Sequence, residues 1–266
     1  MNAPRNAFGV SPHWGAPPSA RPSRTLGGRL VSASALLALG LLQACSQPTA
    51  SGFFPLEAGH SWRYEQLSEW ENNTQDKETV TLSTLGAESL PDHVPGSGKA
   101  WRRRSASGVD YWLRTDDTGI YRVATKTDLQ AEPEADKPVR YVLKMPLAVG
   151  TSWQAPTTAY LLKRGAEFPP EIRHTHKPVL MTYQIAAVGE AVKTRAGEFS
   201  DCLRVQGTAV MKLFADPVVG FREMPLHSTE WYCKGVGLVK LERSEPTNNS
   251  TFLQGGKLVM ELTEWQ

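Results

Sequence analysis

DCLRVQGTAVMKL, residues 201–213, alternates. Leu203, Val205, Ala209, Met211 and Leu213 fall on one side of an extended chain. Arg204, Gln206, Thr208 and Lys212 fall on the other. A strand turns successive side chains to opposite faces, so this period of two marks a sheet with one apolar face. The same period recurs on both sides of the stretch. Met181, Tyr183, Ile185 and Ala187 share a face, and Val109, Tyr111 and Leu113 oppose Asp110 and Arg114. Val239 and Leu241, then Leu258, Met260 and Leu262, repeat the pattern near the end. Sustained helical periodicity is hard to find. Turn formers separate the runs at Asp116–Gly119, Gly189-Glu190, Ala196-Gly197 and Gly235–Gly237. We therefore expect a mainly β chain: a single antiparallel β domain over 53–266 with few helices. Its sheet is either a curved half-barrel or a sandwich, since both give this alternation.

One phrase occurs twice. FPLEAGHSW spans Phe54–Trp62, and MPLAVGTSW spans Met145–Trp153. Both follow apolar-Pro-Leu-x-x-Gly-x-Ser-Trp. Proline cannot donate to a ladder, glycine permits a turn, and tryptophan brings a large apolar anchor. No shared position is a good nucleophile, base or ligand, because His60 is replaced by Thr151. The phrase reads as a folding corner, and two copies fall short of a solenoid array.

The first 44 residues differ from the rest. They carry four arginines, Arg5, Arg21, Arg24 and Arg29, and no acid. The other 25 of the 29 basic residues face 27 acidic ones, so the body is nearly neutral. That balance gives no electrostatic reason to expect nucleic acid. Leu30–Leu42, LVSASALLALGLL, is apolar but shorter than the ~20 residues that span a bilayer. It fits the apolar region of a secretory signal over 1–44. Residues 45–52 are small and polar after the cysteine and read as a flexible tether.

The residues that close the signal, Leu42-Gln43-Ala44-Cys45, resemble the bacterial lipobox. The resemblance implies cleavage before Cys45 and acylation of its thiol and amine, so the membrane is the expected partner. An ordinary signal cut near Ala44 is the alternative, and it would leave an unpaired thiol at an exported terminus. Ser46 stands where an aspartate would favour inner-membrane retention, which points to the outer membrane facing the periplasm. Three further segments, FPLEAGHSWRYE, AGEFSDCLRV and YCKGVGLVKLE, resemble the β-rich domain of bacterial envelope lipoproteins of the TapB-like group. That resemblance implies a β-rich fold and an envelope location, and it brings no catalytic residues.

Several residues could carry chemistry. Cys202 and Cys233 are the only cysteines after Cys45. In an oxidising compartment they suggest one disulfide, with two separate buried thiols as the alternative. His174 and His176 share a face if their segment is extended, but a metal site needs a third and usually a fourth ligand. His227, Glu171 and Asp201 have no spacing that completes one, so no metal is expected. The Pro-rich insertion Tyr160–Lys177 reads as an exposed, partner-contacting loop with solvated histidines. Asp117-Thr118-Gly119 resembles the aspartic-protease triplet, but it has no second copy and no apolar strand before it. A tight hairpin turn explains it. Arg102-Arg103-Arg104 reads as the solvated face of a strand. Trp62, Trp101, Trp112, Trp153 and Trp231 read as core and rim of a sheet, not as sugar platforms.

No nucleotide, hydrolase or metalloprotease motif is present, and no cofactor is expected. The reading that follows is a lipid-anchored, periplasm-facing binding or envelope-assembly module without catalysis, with a protein or lipid partner. A carrier of lipid or acyl chains in a curved cavity is the first alternative. An envelope hydrolase or metal-binding protein is the second.

Overall fold

The alternating segments join into one continuous antiparallel sheet. The structure, a computed structural model, describes residues 49–164, 177–216, 220–248, 250 and 253–266. Six strands come first: β1 (Ser61–Trp70), β2 (Gln75–Ser89), β3 (Lys99–Ser105), β4 (Val109–Asp116), β5 (Gly119–Thr127) and β6 (Glu134–Lys144). The second half holds β7 (Ser152–Thr157), β8 (Lys163–Arg164), β9 (Val179–Thr194), β10 (Gly197–Asp216) and β11 (Gly220–Cys233). It ends with β12 (Gly237–Glu245), β13 (Leu253–Gln254) and β14 (Gly256–Trp265). Among the described residues, helix is limited to one 3-10 turn, Ala50–Phe53.

Twelve strands make the main sheet, and β8 with β13 makes a separate ribbon. The order is β6-β5-β4-β3-β2-β1-β14-β12-β11-β10-β9-β7. It consists of two six-strand meanders. β1 to β6 follow one another, and β7, β9, β10, β11, β12 and β14 repeat the pattern. The first strand of one meander pairs with the last strand of the other, β1 with β14, from Trp62↔Trp265 to Trp70↔Gly256. The equivalent joint, between β6 and β7, brings the two edges side by side without a ladder among the described residues. The result is a nearly closed barrel. The expected curved sheet is what forms, and the sandwich is not.

Local chemistry explains the open joint. β7 has only six residues and includes Pro156, and β6 contains Pro138. Each proline removes a donor from an edge, which blunts pairing there. Register shifts at Thr84/Gly86 and Arg122/Ala124 leave Leu85 of β2 and Val123 of β5 as bulges. Bulges bend a strand and increase its twist, which helps the sheet to curl.

The repeated phrase builds the same corner twice. Gly59 and Gly150 have φ of 97° and 94°, where a side chain would be strained. In the first copy Gly59 N–H donates to Thr84 O at 3.1 Å, and Thr84 N–H donates to His60 O at 2.9 Å. In the second, Gly150 N–H donates to Ile185 O at 2.9 Å and Ile185 N–H to Thr151 O at 2.9 Å. Leu56 and Leu147 are buried beneath, and Trp62 and Trp153 are buried at the start of β1 and β7. Each meander is thus launched by one corner clamped onto its own second strand.

Inside, Leu203, Val205 and Met211 of β10 meet Met181, Tyr183 and Ile185 of β9 in the main core. Gly207 is the gap on this inner face. A Cβ there would lie 2.7 Å from Met181 Sδ and 2.9 Å from the Tyr183 ring, so its absence makes room for that ring. Cys202 and Cys233 are register partners across β10 and β11, and they form a disulfide. The outer face is not uniformly wet. Val94, from the β2–β3 connection, packs on Trp112, Val123 and Ala124 outside the barrel. Arg114 is buried there and donates to Pro95 O at 2.7 Å. Asp116–Gly119 is a two-residue hairpin in which Asp116 Oδ1 accepts from Thr118 N–H at 2.8 Å.

Candidate functional site

A cavity of about 210 Å³ lies inside the sheet, and its lining comes from β1 to β6 and from β9, β11 and β12. Leu82, Leu113, Val142 and Leu238 supply apolar wall. Three arginines, Arg103, Arg122 and Arg140, and one carboxylate, Glu230, supply charge. A second, polar space of about 640 Å³ lies between β6 and β7, lined by prolines 138, 156 and 178. Arg122 and Arg140 line both spaces, so the open joint is the mouth of the interior.

Arg103 is the deepest of the three. Strand alternation turns it inward between Arg102 and Arg104, which face out and share Asp110 at 2.8 and 3.0 Å. The expectation of a solvated arginine face is therefore wrong for its middle member, which is only 7% exposed. Its guanidinium lies 4.0 Å from the Phe54 ring centroid and 4.3 Å from that of Trp62. A weakly hydrated planar cation suits such an aromatic slot. It donates to Pro55 O at 2.8 Å, while its Nε is buried without a hydrogen-bond partner. Among the described residues, no carboxylate comes within ion-pair distance of it. Burial pulls its pKa down to about 10, so it stays cationic at neutral pH.

Arg122 is neutralised by Asp136, which accepts from its Nε and an Nη at 2.7 Å each. That two-pronged geometry is the strong form of the contact. Arg140 is hydrogen-bonded to Tyr183 and feels the charge of Glu230. Burial works against its charge, but Tyr183, Tyr160 and Glu230 outweigh it and hold the pKa above the ordinary arginine value. Tyr232 donates to Glu230 at 2.5 Å. Burial first, then the charge of Glu230 and this bond, push the Tyr232 phenol well above its usual value. It therefore remains a donor and occupies one side of the Glu230 carboxylate. Tyr232 is in electrostatic reach of both Arg103 and Arg140.

One wall of the mouth is pinned from below. Glu245 of β12 is fully buried and accepts from Arg243 Nε at 2.8 Å. Its Oε2 also accepts the backbone N–H groups of Tyr160, Leu161 and Leu162 at 3.0, 2.8 and 3.1 Å. Arg243 donates in turn to Thr158 O at 3.1 Å. This peg fixes the segment that follows β7 and flanks the seam.

The residues singled out in the sequence lie elsewhere. Cys45, His174 and His176 are outside the described residues, as are residues 1–44. Cys202 and Cys233 do not line the cavity. Among the described residues, no group of His, Cys, Asp or Glu could hold a metal ion. Sequence reasoning missed Arg103, Arg122, Arg140, Glu230 and Glu245. The alternation that found the strands carried a signal for Arg103, which shares a strand face with Trp101 and Ser105, and for Arg140, which shares one with Val142. The seam carried none, because β6 and β7 belong to different meanders.

No family model matches the chain, and no curated protein matches it. Among solved structures, it is similar to a chain called a "putative lipoprotein" from Parabacteroides distasonis. The two share 14% identity at a TM-score of 0.36, covering 80% of this chain and 98% of that one. It is also similar to a "putative exported protein with YmcC-like fold" from Bacteroides fragilis, with 14% identity, the same coverage of each chain and a TM-score of 0.34.

Proposed function

We propose that this chain is a lipid-anchored binding module of the bacterial envelope, without catalytic activity, that admits a ligand into the sheet through the β6–β7 seam. The observation that carries the reading is the interior cavity whose mouth shares Arg122 and Arg140 with the seam. The anchor rests on Leu42–Cys45, where acyl chains on Cys45 hold the protein in the membrane. Ser46 at the next position favours the outer membrane, with the body facing the periplasm. The ligand is compact. Ordinary ligand pockets start at about 300 Å³, and the interior offers about 210 Å³, too little to sequester a whole membrane acyl chain.

Native mass spectrometry of a secreted Cys45→Ser form tests the binding reading. Val142 lines the cavity, and Val142→Trp fills it. A small-molecule adduct on the parent that the filled variant lacks supports the reading. A bare mass for both, or an adduct of equal occupancy on both, refutes it.

A further inference from the structure

We propose that the interior cavity selects an amphipathic monoanion, a carboxylate head on a short apolar body. This deepens the binding reading above and rests on it. The argument begins with charge. The cavity and its mouth hold three guanidinium groups, those of Arg103, Arg122 and Arg140. Lys137 and Glu134 also line the mouth and cancel in the count, which leaves the carboxylates Asp136 and Glu230 to answer the guanidinium groups. Asp136 is taken by Arg122 in a two-pronged pair, and Glu230 lies in the field of Arg140. One positive charge is left over, and it resides on a wall nearly sealed from water.

Such an uncompensated buried charge is costly, and proteins seldom keep one without a partner for it. Arg103 keeps its charge beside two aromatic rings and one carbonyl, with its Nε buried and unpaired. A neutral ligand would leave that deficit in place, and a dianion would overshoot it. A single carboxylate closes it, because it carries one negative charge and offers acceptor sites to a guanidinium group that lines the cavity. The rest of the cavity sets the body. Leu82, Leu113, Val142 and Leu238 offer apolar wall to a ligand tail, among tyrosines of which Tyr64 donates to Leu238 O and Tyr183 is bonded to Arg140. The volume excludes a long chain, as argued above. The phenol of Tyr232 is already committed to Glu230 and does not compete for the incoming carboxylate.

The same secreted form, titrated calorimetrically near neutral pH with octanoate, 1-octanol and inorganic phosphate, tests the proposal. Octanoate is expected to bind one per chain. Octanol, with the same tail and no charge, is expected to bind weaker by about tenfold or more. Phosphate, a head without a tail, is expected to give no saturable heat. Arg140→Met should weaken octanoate by about tenfold or more and leave octanol unchanged. Arg103→Met should do the same if it folds, and Arg140 near the mouth decides the matter if it does not. Octanol matching octanoate overturns the anionic head while leaving the cavity reading intact. Saturable binding of phosphate alone overturns the apolar body. Silent octanoate overturns the proposal outright, and a mass adduct surviving beside that silence would keep the cavity reading alive on its own. Retention of full octanoate affinity by folded Arg140→Met also overturns it.

Discussion

Glu245→Gln should cost about 3 to 5 kcal/mol, the penalty for breaking one partner of a buried ion pair. The two side chains are 2% and 0% exposed, and their contact is 2.8 Å, so neither water nor salt screens them. The geometry sharpens the expectation. Oε2 accepts three backbone N–H groups, and Oε1 accepts Arg243 Nε and shares Tyr160 N–H at 3.1 Å. Every atom facing this carboxylate is a donor. A glutamine must point its NH2 either at Arg243 Nε or at the three amides, and donor meets donor in both orientations. Adding Arg243→Met removes one set of donors, so the double variant should regain about 1 to 2 kcal/mol over Glu245→Gln alone. A domain of this kind is stable by only about 5 to 15 kcal/mol, so the effect is large enough to measure. Urea unfolding gives the global cost. Amide exchange at Tyr160, Leu161 and Leu162 gives the local one, and those three should lose protection ahead of the sheet. If Glu245→Gln stays within about 1 kcal/mol of the parent with those amides still protected, the peg is not what holds this segment.

Other consequences are open to simple tests. Cys233→Ser should destabilise the secreted form by about 3 to 4 kcal/mol on the chain-entropy model for a bridge spanning 31 positions, and free thiols in the native protein would show the bridge absent. Gly207→Ala should cost about 1 to 3 kcal/mol, because the new methyl collides with Met181 and Tyr183; an unchanged urea midpoint would contradict that packing. The Asp116 carboxyl should titrate below the ordinary aspartate range, held there chiefly by Thr118 Oγ1 at 2.5 Å. Its small stabilising contribution is therefore present above the usual range and fades as pH falls through the lowered value. Thr118→Val should move that titration up in a carboxyl NMR experiment, and an unmoved titration would remove the hydroxyl as cause.

Much of the fold was legible because burial on one face writes a period of two into the chain. The faces through Leu203–Met211 and Met181–Ile185 are buried as read. The twice-used corner was legible as well, since Gly59 and Gly150 occupy equivalent turns at positive φ. What remained hidden depends on closure. Nothing near Pro138 says that it will face Pro156, because that meeting requires two whole meanders to curl. Asp110 and Arg114 looked wet, yet Arg114 is covered because the β2–β3 connection folds back over it, and Asp110 because Arg102 and Arg104 close on it. Arg103 was misread for a related reason: a charge between two charges suggests solvent, while the strand turns the middle one inward. Glu245 looked like one half of a local pair with Arg243, since the backbone amides that it gathers lie about 85 positions away in the chain.

Ser61 and Gln266 exchange a pair of backbone hydrogen bonds, Ser61 N–H to Gln266 O at 2.9 Å and Gln266 N–H to Ser61 O at 3.0 Å. β1 and β14 run antiparallel from that point. Tension applied directly between Ser61 and Gln266 would peel these strands apart one rung at a time, like a zipper, instead of loading every rung in shear. A pull arriving from the N-terminal side meets the buried Phe53, Phe54 and Leu56 and the bond from Gly235 N–H to Gly52 O first, so residues 50–60 act as a latch in front of that zipper.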